Sequence, residues 1–267
     1  MKKFTPSEHY EPQLLRGGAF AHLNTLFGLG NQSGWPDFPW LNGLAYLKNS
    51  NGQQVSFVPD SQFQEETRYY EQIIYETGHI PTREQNWHDL FGALIWCLFP
   101  KTKSLLNKSH IDDIDQYGLK QRSKHRNALT LFDECGVVMA ITDEQIKTDL
   151  RAHNWHSVFV SKRTQWGKAI QPFIFGHANY EMLTQPFIGL TGKVLCIVVE
   201  TSFSTLTLQQ QYAYLDDILY TRIAYEGILK DNSQMSPLPL LGIPGWCEEN
   251  EDAKFYDNTD YFRAKRR

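Results

Sequence analysis

Four groups of residues in this chain have the types and spacing that metal or acid–base chemistry requires. The first is His88-Asp89, inside NWHDLFGALIWCLFP. An imidazole beside a carboxylate can bind a divalent metal, as in metal phosphohydrolases. The pair also has a structural reading, because a carboxylate in a first helical turn is favoured by the free N–H groups and the helix dipole. The second group is His177 and Glu181 in FGHANYEML. Four residues apart, they share a helix face, so His177 could ligate a metal while Glu181 fixes its tautomer. The spacing is not H-E-x-x-H, and a surface His–Glu contact is the alternative.

The third group is Asp133-Glu134 in LFDEC. Paired carboxylates suit a metal or a general base. Ahead of Gly136 they also suit a tight turn. The fourth is the basic run over residues 101–126, with Lys101, Lys103, Lys108, Lys120, Arg122, Lys124 and Arg126, and with His110 and His125 among them. Three aspartates, Asp112, Asp113 and Asp115, offset part of it. Such a run can hold phosphate or nucleic acid, or be a solvated face. Few aromatics interleave it, which argues against single-strand binding. The expected ligands of a divalent metal are therefore His88, Asp89 and His177. Asp89, Asp133, Glu134 and Glu181 are the acid–base candidates. Arg122, Arg126 and His110 are the candidates for holding a phosphorylated substrate.

These residues must be positioned by regular elements. Asn86 before an apolar run and Pro100 after it predict a helix with His88 and Asp89 in its first turn. Gly92 inside that helix costs about 1 kcal/mol against Ala, which implies close approach of a backbone or a ligand. A second helix is predicted over residues 101–114. RYYEQIIYETGHIPTR reads as strand and turn from its β-branched and aromatic content. NALTLFDECGVVMAIT reads as a β-hairpin with Gly136 at positive φ. Thr142 with Gln145, and Thr207 with Gln210, form capping boxes, the second opening a helix to about residue 230. QQVSFVPD, IQPFIF and KVLCIVVE are strands, and GHANYEML makes a helical turn or two.

Strands and helices do not alternate regularly, so the expected class is α+β, one compact domain with helices packed on a mixed or antiparallel sheet. Within it, residues 1–62 are Gly-, Pro- and aromatic-rich and irregular, 63–236 form the α+β core, and 237–267 form an extended strap. The chain has 267 residues, 41% hydrophobic and 21% charged, which suits a globular fold. Its net charge of −4 gives no whole-molecule attraction to nucleic acid. Cys97, Cys135, Cys196 and Cys247 have no metal-type spacing and read as free thiols in a reducing compartment. The start, MKKFTPSEHYEP, has no apolar h-region, and the longest near-continuous apolar run is residues 90–99. Ten residues do not span a bilayer, so the expected location is the cytoplasm.

Several segments together, GHIPTREQNWHDLFGALIWCLFPKTKSLLN, RNALTLFDECG, FGHA and PLPLLGIPGWCEENEDAKFYDNTDYFR, resemble the bacterial family known as domain of unknown function 3025. The resemblance runs over about residues 35–262. The family pattern includes segments that correspond here to residues 87–89, 106–110, 129–134 and 175–177, with one departure where Lys108 and Ser109 precede His110, and it places Asp where this chain has Asn127. The resemblance implies no activity. The leading expectation is a metal-dependent hydrolase of a phosphorylated substrate. The alternative is a non-enzymatic binding protein that uses an aromatic groove for a peptide or small molecule.

Overall fold

A computed structural model of the chain describes Phe4, Ser7 and residues 9–265. Residues 1–3, 5, 6 and 8, part of the stretch MKKFTPSEHYEP read above, lie outside them. Among the described residues no helix is long and apolar enough to cross a membrane.

The chain opens with short helical turns and two seven-residue helices, α1 (Ala21–Phe27) and α2 (Phe38–Leu44). Strand β1 (Ser56–Pro59) follows, then α3 (Tyr70–Thr77) and β2 (His79–Thr82), which pairs in parallel with β1. Helix α4 (Trp87–Leu98) leads across Pro100 into α5 (Pro100–Tyr117) and then α6 (Lys124–Cys135). Next come β3 (Gly136–Ile141), α7 (Glu144–Ala152), β4 (Ile170–Ile174), α8 (His177–Leu183), β5 (Thr191–Val198), α9 (Leu208–Glu226) and β6 (Ser236–Pro239). The main sheet has the order β4-β3-β5-β6, with β3 and β5 parallel and both outer pairs antiparallel. β3 is buried along its whole length, which explains its unbroken apolar run GVVMAI. The result is a single compact α+β domain.

Three local expectations change. Residues 70–77 form a helix, because Ile73 and Ile74 are buried side by side and Gly78, at φ +75°, ends the helix in the left-handed region. The Thr-Gly pair is thus a helix end, and the strand begins after it. The expected hairpin over 127–142 is instead α6 running directly into β3. Ser123 caps α6 by accepting the Arg126 N–H at 3.0 Å, and Ala128, Leu129 and Phe132 bury one helical face. Gly136 has φ −65° rather than the positive φ of a turn. It is required because a Cβ there would overlap the Phe132 carbonyl oxygen. The cap of α7 is Asp143, which accepts the Gln145 N–H at 2.8 Å, one residue after Thr142. The capping box of Thr207 and Gln210 is present as expected.

The last thirty residues do more than run across the surface. Ser236–Pro239 is the outer strand of the sheet. Beyond it, buried Tyr256 donates to the Gly242 carbonyl at 2.9 Å and buried Tyr261 to the Leu190 carbonyl at 2.6 Å.

A candidate metal centre

Two junctions bring the site together. α6 ends and β3 begins at residues 135–136, while β4 ends and α8 begins at residues 174–177. The Phe175 and Gly176 amides both donate to the Gly136 carbonyl, at 3.0 and 2.8 Å. A Cβ on Gly176 would overlap the Glu134 carbonyl and the amide nitrogens of Cys135 and Gly136. Only glycine lets the two junctions close to this distance. Phe175 also stacks on Phe132, with centroids 4.4 Å apart. Glu134 and His177 therefore enter one space from opposite chain directions.

α4 supplies the third wall. Asn86 accepts the Asp89 N–H at 3.1 Å and caps the helix. Trp87 is buried against Tyr10, Trp35 and Phe91, which fixes the rotation of the first turn and aims His88 at α8. Phe91 stacks on Tyr180 of α8 at 5.2 Å. The close approach expected at Gly92 is not found among the described residues: a Cβ there would meet the His177 ring at 3.8 Å, ordinary van der Waals contact.

The Nε2 atoms of His88 and His177 are 2.9 Å apart. Glu134 Oε2 is 3.7 Å from His177 Nε2. One ligand atom from each of His88, Glu134 and His177 lies within 4.8 Å of the others. On its far side, His88 Nδ1 meets Glu181 Oε2 at 3.0 Å. That is the carboxylate–histidine arrangement that orients metal-bound imidazoles. Burial opposes a proton on His88, but the Glu181 hydrogen bond and the charges of Glu134, Glu181 and Asp89 outweigh it and raise its pKa. Burial lowers the pKa of His177 to about 4. At 2.9 Å one Nε2 must donate to the other, and the tautomers of the two rings set which does so. Burial also raises Glu134, helped by the nearby charges of Asp133 and Glu181. Two imidazoles and a carboxylate form the ligand set of many zinc hydrolase sites and of non-haem iron sites with open positions.

The other expected residues are placed as follows. Asp89 turns away from the histidines and binds Arg83, accepting from its Nε at 3.0 Å, its Nη2 at 2.8 Å and its backbone N–H at 2.7 Å. Glu181 faces His88 and not His177, because packing of α4 on α8 offers a nearer partner than its own helix does. Asp133 binds Lys103 Nζ at 2.5 Å. Burial alone would raise Asp133, but Lys103 and His177 outweigh it and lower its pKa. Lys103 is the buried lysine of the basic run, and nothing in its sequence neighbours marks it as an inward residue. Among the other cations, Lys101 pairs with Asp217 and Lys108 with Asp112. Arg122 binds Asn127 and Thr130 on the surface of α6. His110 is buried two turns past Lys103 on α5, and Arg126 is buried in the first turn of α6, two turns before Asp133.

The chain matches the family described as "Protein of unknown function (DUF3025)" over residues 55–266, and it belongs to that family. No curated protein and no solved structure matches it.

Proposed function

We propose that this member of the DUF3025 family is a divalent-metal-dependent hydrolase acting on a phosphorylated substrate. The observation that carries the reading is the 2.9 Å approach of His88 Nε2 to His177 Nε2, with the Glu134 carboxylate beside them. His88, Glu134 and His177 would hold a divalent metal, which when bound would supply a Lewis acid beside the substrate. Glu181 holds the His88 ring in place through Nδ1. Asp133, kept ionised by Lys103, is the carboxylate that takes a proton from the attacking water. The phosphorylated-substrate part of the reading rests on Arg83, whose side chain is 55% exposed although its Nε and Nη2 are bound to Asp89.

A second reading has its own observation. A cleft of about 420 Å³, lined by Trp166, Trp246, Tyr180 and His22, lies between the N-terminal segment, the β4 edge and the C-terminal turns. A binding protein would use it for a small apolar ligand.

The deciding experiment is elemental analysis of untagged wild-type protein beside His88→Ala, His177→Ala and Glu134→Ala, followed by assay on aryl phosphate mono- and diesters. Near-stoichiometric metal that all three substitutions abolish, with hydrolysis that depends on it, supports the hydrolase. No metal after incubation with zinc, manganese or iron overturns it and favours the cleft.

A further inference from the structure

The cleft of about 420 Å³ between the N-terminal segment and the C-terminal turns has a polar edge that the metal centre does not use. His22 and Tyr180 both line it. His22 Nδ1 meets the Tyr212 hydroxyl at 3.1 Å, so His22 has Nε2 left to offer the cleft. Tyr212 is buried, and the Tyr180 hydroxyl adjoins its own closely enough to alter its ionisation. The three groups stand in a row, with Tyr212 inside the protein and the other two at the cleft. Burial keeps all three neutral, lowering the pKa of His22 to about 4 and raising both tyrosines. A neutral imidazole donates from one nitrogen and accepts at the other, and each phenol carries one proton. Such a row donates at one end and accepts at the other, whichever way its protons point.

The rest of the lining selects by charge and shape. Among the described residues, the charged side chains at the cleft are Arg163 and Glu251, and they bind each other at 2.7 Å. Arg163 Nη1 also donates to the Asn250 carbonyl at 2.9 Å and the Tyr256 hydroxyl at 3.1 Å. Its charge is thus spent within the protein, and a charged ligand would lose its hydration without gaining a partner. Trp166 is fixed by Phe159, stacked on its ring at 5.5 Å, and by its own N–H, which donates to the Val158 carbonyl at 3.0 Å. With Trp246 it gives the cleft flat, rigid walls that suit an aromatic ring.

Resting on the reading of this cleft as a binding site, we infer that its ligand is an uncharged, flat, largely apolar ring whose edge carries an N–H beside a C=O, as in an aromatic lactam. The ligand N–H donates to the accepting end of the His22–Tyr212–Tyr180 row. The ligand C=O accepts from the donating end. An N-methylated lactam has the same ring and the same carbonyl but leaves the accepting end unpaired. An aromatic carboxylate brings a charge that nothing in the cleft is free to match.

The test is calorimetric titration of the full chain with isocarbostyril, N-methylisocarbostyril and naphthoate, each at neutral pH in the presence of EDTA. Isocarbostyril is expected to bind at least about tenfold more tightly than the other two, the scale of a buried polar group left unpaired. Tyr180→Phe keeps the ring that packs on Phe20 and Phe91 and is expected to remove the preference over the N-methyl compound. Trp246→Ala is expected to weaken isocarbostyril by about tenfold through loss of a wall. Binding should persist in His88→Ala, which separates the cleft from the metal centre. Equal affinity for the two lactams, or a preference that survives Tyr180→Phe, overturns the inference and leaves the cleft standing as a binding site. The comparison of the two lactams on wild type needs no substitution, so it decides even if Tyr180→Phe fails to fold. No binding at millimolar concentration, indifference to Trp246→Ala, or loss in His88→Ala overturns the inference and the cleft reading together.

Discussion

His88 and His177 present their Nε2 atoms to each other at 2.9 Å although 89 residues separate them in the chain. Without a metal, the contact holds a proton between the rings. A metal ligated by both must displace that proton. The pKa of His88 is raised, so metal affinity is expected to fall as pH drops through and below neutrality. Metal content after equilibration in buffers across that range, with proton release followed in weakly buffered solution, checks this. Metal uptake without proton release near neutral pH contradicts it.

Two glycines should respond oppositely to alanine. At Gly176 an added methyl overlaps backbone atoms of residues 134–136, which cannot move without opening the sheet. Gly176→Ala is expected to cost about 3 kcal/mol or more and to remove metal binding. At Gly92 the methyl meets the His177 ring at ordinary van der Waals distance, 3.8 Å. Gly92→Ala is expected to be neutral or stabilising by up to about 1 kcal/mol. Urea denaturation of both variants decides it, and equal effects would contradict the packing described.

Glu181 and Asp89 are both carboxylates near His88, but they have different partners. Glu181→Gln is expected to weaken metal binding by about 10–100-fold, as loss of a partner to a ligating imidazole does. Asp89→Asn is expected to leave metal binding within a few-fold and to cost about 1 kcal/mol of stability, since Arg83 is largely solvated. Competition with a chelator of known affinity, run beside thermal melts, separates the two. A larger loss of metal in Asp89→Asn would make Asp89 a ligand.

His22 gives a pH dependence away from the metal centre. Burial lowers its pKa to about 4 from an ordinary 6.5, and its Nδ1 faces the Tyr212 hydroxyl at 3.1 Å. As pH falls, the unfolded chain takes up this proton first. The contribution is therefore fully present above pH 6.5 and lost as pH falls towards 4. Wild type is expected to lose up to about 3 kcal/mol more than His22→Gln across that window. Equal pH dependence of wild type and variant in urea titrations would show that His22 is not held neutral.

Much of the fold is legible locally. Asn86, Pro100 and the apolar residues between them define α4. The Thr207–Gln210 box opens α9, and the unbroken apolar run at 194–199 marks β5. Caps, stops and periodicity act between near neighbours, so the chain itself carries them. The residue types able to do chemistry, His88, His177, Asp133, Glu134 and Glu181, are equally plain. Short apolar runs are less so. LTLF suits a strand or a helix, and the choice fell to helix because Leu129 and Phe132 pack into the same core as β3. What tertiary structure alone decided is which candidates meet. Glu134 joins the histidines, Asp89 goes to Arg83, Glu181 crosses to His88, and Asp133 takes Lys103. Those pairings depend on how α4, α6 and α8 close around one sheet end, over distances that no local spacing encodes.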